Sequence, residues 1–226
     1  IITEGIDARI VSFGPKTTKG FEGVEDLGLD GQIIHWEGLQ IHFRLIGYHN
    51  LLNALAAISV ATELGVERIK IKDALENAEP LFGRSQVIRD DVTILLDCYN
   101  ANPDSLSSVI SFFEDLRWSG RKIAVIGSMY ELGELSRESH LQVARLAIES
   151  GIDIVLFFGD EFVSVKELLE ESFGEDSLKS CEWYNNFEKL ERRVGSLLKS
   201  GDIVLLKASR GVELERLLPV IEKSVV

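Results

Sequence analysis

The chain has 226 residues, 45% of them hydrophobic, with 37 acidic against 24 basic side chains and a formal net charge of −13. That length suits one large or two small globular domains. The negative balance argues against a nucleic-acid backbone or an anionic membrane surface as partner, and no apolar run is long enough to span a bilayer.

In chain order, the first elements are strands. The stretch GQIIHWEGLQIHFRLIG alternates, with Ile41, Phe43 and Leu45 on one face and His42 and Arg44 on the other. Glu37-Gly38 between its halves predicts a hairpin turn, and His42 is expected on the solvated face. A helix follows in GYHNLLNALAAISVATELGV. Leu51, Leu52, Leu55, Ala56, Ile58 and Ala61 form its apolar side, and Leu64-Gly65 closes it. Asn50 is the expected cap residue. Asn53, three positions on, stands beside it. A short helix in IKDALENA leads to Pro80, and PLFGRSQVI reads as the joint between two domains, 1–82 and 83–226.

After Arg84 the order becomes strand–helix repeated. The strands are VTILLD, KIAVIG, DIVLFFG, a short EWY and DIVLLKA. Helices are expected from Pro103, after Ser136, around VSVKELLEES, from Asn186 to Lys199 and across VELERLLPVIEK. Continuous apolar strands alternating with helices predict an α/β fold, a parallel doubly wound sheet of Rossmann-like type.

Three of these strands end in polar or glycine-rich loops: Asp97-Cys98-Tyr99-Asn100, Gly127 to Glu134, and Lys207-Ala208-Ser209-Arg210-Gly211. In a parallel sheet all three project from one edge, where open α/β folds bind ligands. Asn102, Pro103 and Asp104 are explained locally, as cap, first helical residue and dipole complement. Tyr99 and Asn100 have no such local explanation. A cation such as Arg210 near a helix start makes sense if an anion arrives there. Asp97 also suits an ordinary turn, and Glu131 and Glu134 a solvated loop. His35, His42, His49 and His140 show no metal-ligand spacing, and Cys98 and Cys181 are too few for a metal cluster and are expected to be reduced thiols. Neither GxxxxGK(S/T) nor GxGxxG occurs, so a phosphate-cradling loop is not part of this sequence. The chain opens on Ile1 and its single methionine is Met129, so it is expected to be a piece of a longer product.

GYHNLLNALAA, LFGRSQVI, LLDCYNANPDS, KIAVIGSMYELGELS and LLKASRG stand in the order seen in the Mur ligases of peptidoglycan synthesis, and the chain resembles that family over nearly its whole length. YNANP and the ELGE loop are similar to the branch that adds D-alanyl-D-alanine. The resemblance implies that residues 1–82 are the tail of the central ATP-binding domain and 83–226 the complete Rossmann-like last domain. It implies a cytoplasmic enzyme that uses ATP and Mg²⁺ to join D-Ala-D-Ala to UDP-MurNAc-tripeptide through an acyl phosphate, with the metal ligands upstream. It further implies Asn50 and Asn53 at the adenine, Arg84 at the nucleotide phosphates and Asp97 at the ribose. Tyr99, Asn100 and Asn102 would line the cleft near the reacting groups. Lys207, Ser209 and Arg210 would place the carboxylate end of the dipeptide or tripeptide. Arg84, Asp97, Tyr99, Asn100 and Lys207 are thus the expected catalytic set. The chain departs from the family at Ser128, where an aspartate is usual, and at Ala208, where a glycine is usual. The competing expectations are a non-catalytic nucleotide- or dipeptide-binding module and a folylpolyglutamate- or cyanophycin-type ligase.

Overall fold

The computed structural model describes residue 7 and residues 9–223. The chain divides into two compact units, Ile1–Pro80 and Leu81–Val226, each with its own apolar core.

In the first unit, strands β1 (Phe21–Asp26), β2 (Gln32–Trp36) and β3 (Leu39–Phe43) form an antiparallel sheet in that order. Glu37 and Gly38 have φ of 46° and 73°, the left-handed pair that a two-residue hairpin turn requires. The alternation holds: Ile41 and Phe43 are buried and His42 and Arg44 exposed. Helix α1 (Tyr48–Glu63) lays Leu51, Leu55 and Ile58 against Ile34, Trp36 and Ile41. It ends where Gly65, at φ 75°, turns the chain back. There the Val66 N–H donates to the Ala61 carbonyl and the Gly65 N–H to that of Thr62, a Schellman closure. Helix α2 (Arg68–Glu76) covers the sheet beside it.

The second unit holds a six-stranded sheet of β4 (Gln86–Ile88), β5 (Thr93–Asp97), β6 (Lys122–Gly127), β7 (Ile154–Phe158), β8 (Cys181–Tyr184) and β9 (Ile203–Lys207), in the order β4-β5-β9-β6-β7-β8. All neighbours are parallel except β4, which runs antiparallel to β5. The helices are α3 (Pro103–Asp115), α4 (Ser136–Glu149), α5 (Asp160–Ser177), α6 (Phe187–Leu197) and α7 (Leu218–Lys223). This is the expected α/β architecture, with β9 returning to lie between β5 and β6. The strand order therefore reverses where the three polar loops emerge, the place such sheets keep for ligands.

Strand β1 is not among the strands expected from the sequence, and two further elements differ from expectation. The joint segment carries strand β4, three half-buried residues too few to show a period of their own. The last helix is not continuous. Two 3₁₀ turns, Arg210–Val212 and Leu214–Leu217, precede α7 and meet at Glu213, whose φ is 57°. Pro219, at the second position of α7, has no N–H to bond back into a preceding α-turn, so the helix starts late. Among the described residues no helix is long and apolar enough to cross a membrane.

Candidate active site

The rim is built on the last rung of the parallel sheet, where Asp97 of β5 lies in register with Lys207 of β9. Lys207 is buried, with a side chain 3% exposed, and its ammonium meets Asp97 Oδ2 at 2.8 Å. It also donates to the Asn100 carbonyl at 2.7 Å. The other Asp97 oxygen, Oδ1, accepts from the Ser85 N–H at 3.0 Å. One carboxylate thus ties the segment after Arg84 to the loop after β5, with Lys207 as its counter-charge. A charged pair this dry persists only because both members find further hydrogen bonds.

Around this pair the three loops are stitched together. The Tyr99 N–H donates to the Gly83 carbonyl at 2.9 Å, and the Ser209 N–H to that of Ser128 at 3.1 Å. Ser209 Oγ accepts from the Tyr130 N–H at 2.9 Å and lies 3.3 Å from the Ala101 carbonyl, to which it donates. Tyr99 is 39% exposed. Arg84 stacks on its ring, with the guanidinium carbon 3.9 Å from the centroid, and Arg210 approaches the same ring at 5.3 Å. Both arginines and Asn100 are exposed.

The β6 loop is pinned from below by His140, a buried residue of α4. Its Nδ1–H donates to the Ser136 carbonyl at 2.7 Å, and its Nε2 accepts from the Met129 N–H at 2.9 Å, a pattern only the neutral ring satisfies. Burial pushes its pKa below the ordinary value. Ser128, also buried, donates to Glu161 Oε2 at 2.5 Å. Its hydroxyl fills the notch left by Gly159, where a Cβ would fall 1.9 Å from Ser128 Oγ. Ala208 fits because position 127 is glycine: a Cβ there would stand 2.7 Å from that of Ala208. Burial, with Glu161 and Asp160 nearby, raises the Tyr130 phenol above its ordinary range. Burial and Glu215 push Cys98 up to about 12, and its thiol donates to Glu215 Oε2 at 3.4 Å, so this cysteine is inert at neutral pH.

The expected site residues of the second unit therefore gather at one rim: Arg84, Asp97, Tyr99, Asn100, Asn102, Lys207, Ser209 and Arg210. Not all offer what was expected of them. Asn102 Oδ1 is engaged at the start of α3, accepting from the Ser105 N–H at 2.8 Å, while Ser105 Oγ accepts from the Asn102 N–H at 3.1 Å. Lys207 spends its charge on Asp97 and Asn100 within the rim. In the first unit, Asn50 does not cap α1. Gly47 precedes the helix, and Asn50, in its first turn, donates from Nδ2 to the Ile46 carbonyl at 2.9 Å. Asn53 donates to Asn50 Oδ1 at 3.3 Å, so the two stand together as their spacing predicted. Ser85, Glu161 and His140 were not singled out for the site by sequence. For Glu161 a signal existed, since it follows the strand beside β6 and so reaches the same edge. Among the described residues no cluster of acidic, histidine and cysteine side chains is arranged to hold a metal ion.

Fold and rim together define a Rossmann-like domain whose switch-point loops carry two exposed guanidiniums above a buried Asp–Lys pair. The model for the Mur ligase, glutamate ligase domain matches residues 83–210, and the chain belongs to the Mur ligase family. The UDP-N-acetylmuramoyl-tripeptide--D-alanyl-D-alanine ligase of Treponema pallidum is 37% identical over 200 residues, 88% of this chain and 43% of that protein. The crystal structure of MurF ligase from Thermotoga maritima in complex with ADP is 27% identical, with a TM-score of 0.70 over 90% of this chain and 46% of that one. MurF from Acinetobacter baumannii shares the fold at a TM-score of 0.79 over 95% of this chain and 47% of that one, at 24% identity. The chain spans less than half the length of the curated relatives it matches.

Proposed function

We propose that this chain is the acceptor-binding portion of an ATP-dependent amide ligase that joins D-Ala-D-Ala to UDP-MurNAc-tripeptide in cytoplasmic peptidoglycan precursor synthesis. The observation that carries the reading is the rim itself, YNANP and KASRG brought side by side, in a chain 37% identical to a ligase of that name. ATP, when bound with Mg²⁺, supplies the phosphoryl group that activates the terminal carboxylate of the tripeptide. The chain's residues then position and neutralise. Arg84 faces the phosphate oxygens with Arg210 beside it, and Ser209, whose hydroxyl and N–H are both spent within the rim, holds the loop that carries Arg210. The Asn100 side chain reaches the reacting amide, while Asp97 and Lys207 keep its loop in place. In the first unit the Asn50–Asn53 pair offers amide groups to the adenine.

The dipeptide amine attacks the acyl phosphate carbonyl. The C–N bond forms, the C–O bond to phosphate breaks, and the amine loses a proton as phosphate leaves. Fixed cations serve this step because the reacting partners are all anionic and must be brought together. The test is phosphate release by the product of the complete reading frame, with UDP-MurNAc-tripeptide and D-Ala-D-Ala supplied together and singly. Release that requires both supports the reading. Release with glutamate and a folate as acceptor pair would replace it with the folylpolyglutamate-type alternative.

A further inference from the structure

Tyr99 is the rim residue whose placement the chemistry above does not use. It follows a buried strand, yet its ring stays partly open to solvent and carries two guanidiniums, Arg84 at 3.9 Å and Arg210 at 5.3 Å. Those arginines come from opposite ends of the unit in sequence and from loops on either side of β5 and β9. Among the described residues, neither lies within ion-pair distance of a carboxylate, although the chain carries 37 acidic residues and a net charge of −13. Two like charges sharing one ring repel each other. They are held there by the ring's negative face.

We propose that Tyr99 is a positioning residue that holds Arg84 and Arg210 as one anion-binding pair, and that the pair takes a phosphate-type anion. The ring does this through its face, not its hydroxyl. Its backbone is anchored independently, by the Tyr99 N–H on Gly83 and by the Lys207 bond to Asn100 next in sequence, so the ring stands on a fixed base. A guanidinium held flat against a ring keeps its N–H edge pointing outward, and phosphate oxygens accept from that edge two at a time. The assignment of phosphate rests on the ligase reading; the role of the ring does not.

The experiment is an NMR titration of this chain with inorganic pyrophosphate at low ionic strength, following the arginine Nε–Hε resonances. Without ligand, the Arg84 resonance is expected to show a ring-current shift that disappears in Tyr99→Leu. With pyrophosphate, the Arg84 and Arg210 signals are expected to move together with one Kd. Tyr99→Phe should keep that Kd, and Tyr99→Leu should weaken it about two- to fivefold, the scale of cation–π contacts near a surface. An unshifted Arg84 resonance in the ligand-free chain overturns the proposal, whatever the fate of the leucine variant. So do equal affinity in Tyr99→Leu, a Tyr99→Phe as weak as the leucine variant, separate responses of the two arginines, or no response at all. If the pair behaves as expected while the full reading frame fails to ligate D-Ala-D-Ala, the ligase reading falls and the role of Tyr99 stands.

Discussion

His140 shows how one buried side chain can hold a rim loop in place. Its ring accepts from Met129 on one nitrogen and donates to Ser136 from the other, with Phe162 packed edge-on at 4.8 Å. Burial lowers its pKa and prevails over the Ser136 hydrogen bond and the nearby Glu161 charge, which both act to raise it. Protonation would put two donors, His140 Nε2–H and the Met129 N–H, face to face. The unfolded chain binds this proton near 6.5 and the folded chain only at lower pH. His140 therefore costs nothing above about pH 6.5, and stability falls as the pH drops below that value toward the folded pKa. Urea midpoints measured from pH 7.5 down to about 5.5 should decline, and His140→Gln should flatten the decline. Equal slopes in both proteins would show that the histidine is not the titrating group.

At the scale of elements, α3 joins local sequence chemistry to the rim. Asn102 and Ser105 cap each other's amides, Pro103 occupies the first helical position, and Leu106, Val109, Ile110 and Phe113 bury one face. The cap closes the loop that Lys207 holds at Asn100 and Ser209 at Ala101. Asn102→Ala should cost about 1 kcal/mol in chemical denaturation, and Asn102→Asp much less, because an aspartate keeps the acceptor and suits the helix dipole. Indistinguishable losses would mean the cap contributes little here. This helix was legible in the sequence because its signals are local: a cap, a proline and a 3.6-residue apolar period. The start of α1 was not. Asn50 is a good cap residue by type, but Gly47, at φ 82°, turns the chain three residues earlier and leaves Asn50 inside the first turn. Strand β4 was hidden for a related reason. Its three residues become a strand only because β5 offers an open edge.

At the scale of the molecule, the chain carries a net charge of −13, while two guanidiniums share the Tyr99 ring. Self-repulsion among carboxylates weakens the folded state and is screened by salt. Raising ionic strength from about 0.01 M to about 0.15 M shortens the screening length from about 30 Å to about 8 Å. Sodium chloride over that range should raise the urea midpoint at pH 7.5. The same salt should weaken pyrophosphate binding at Arg84 and Arg210, because the two effects draw on charges of opposite sign. A midpoint that falls with salt would mean that ion pairs such as Arg193–Glu182 and Arg121–Asp202 outweigh the general repulsion.

By itself the sequence determined the alternation of strands and helices after Arg84, the hairpin at Glu37-Gly38, and the three loops that would share an edge. Each follows from residue period and turn chemistry within a dozen positions. It also contained the motif order that marks the family. Only the tertiary structure decided what each rim residue is free to do. Asp97 and Lys207 are separated by 110 positions, and their type suggests ligand contacts, yet parallel pairing of β5 with β9 puts them in register and commits them to each other. Arg84 and Arg210 likewise meet on Tyr99 because β9 returns between β5 and β6, a crossover no local pattern encodes. Short-range preferences act through the backbone of neighbouring residues, whereas a charge's partner depends on which distant strand closes the sheet beside it.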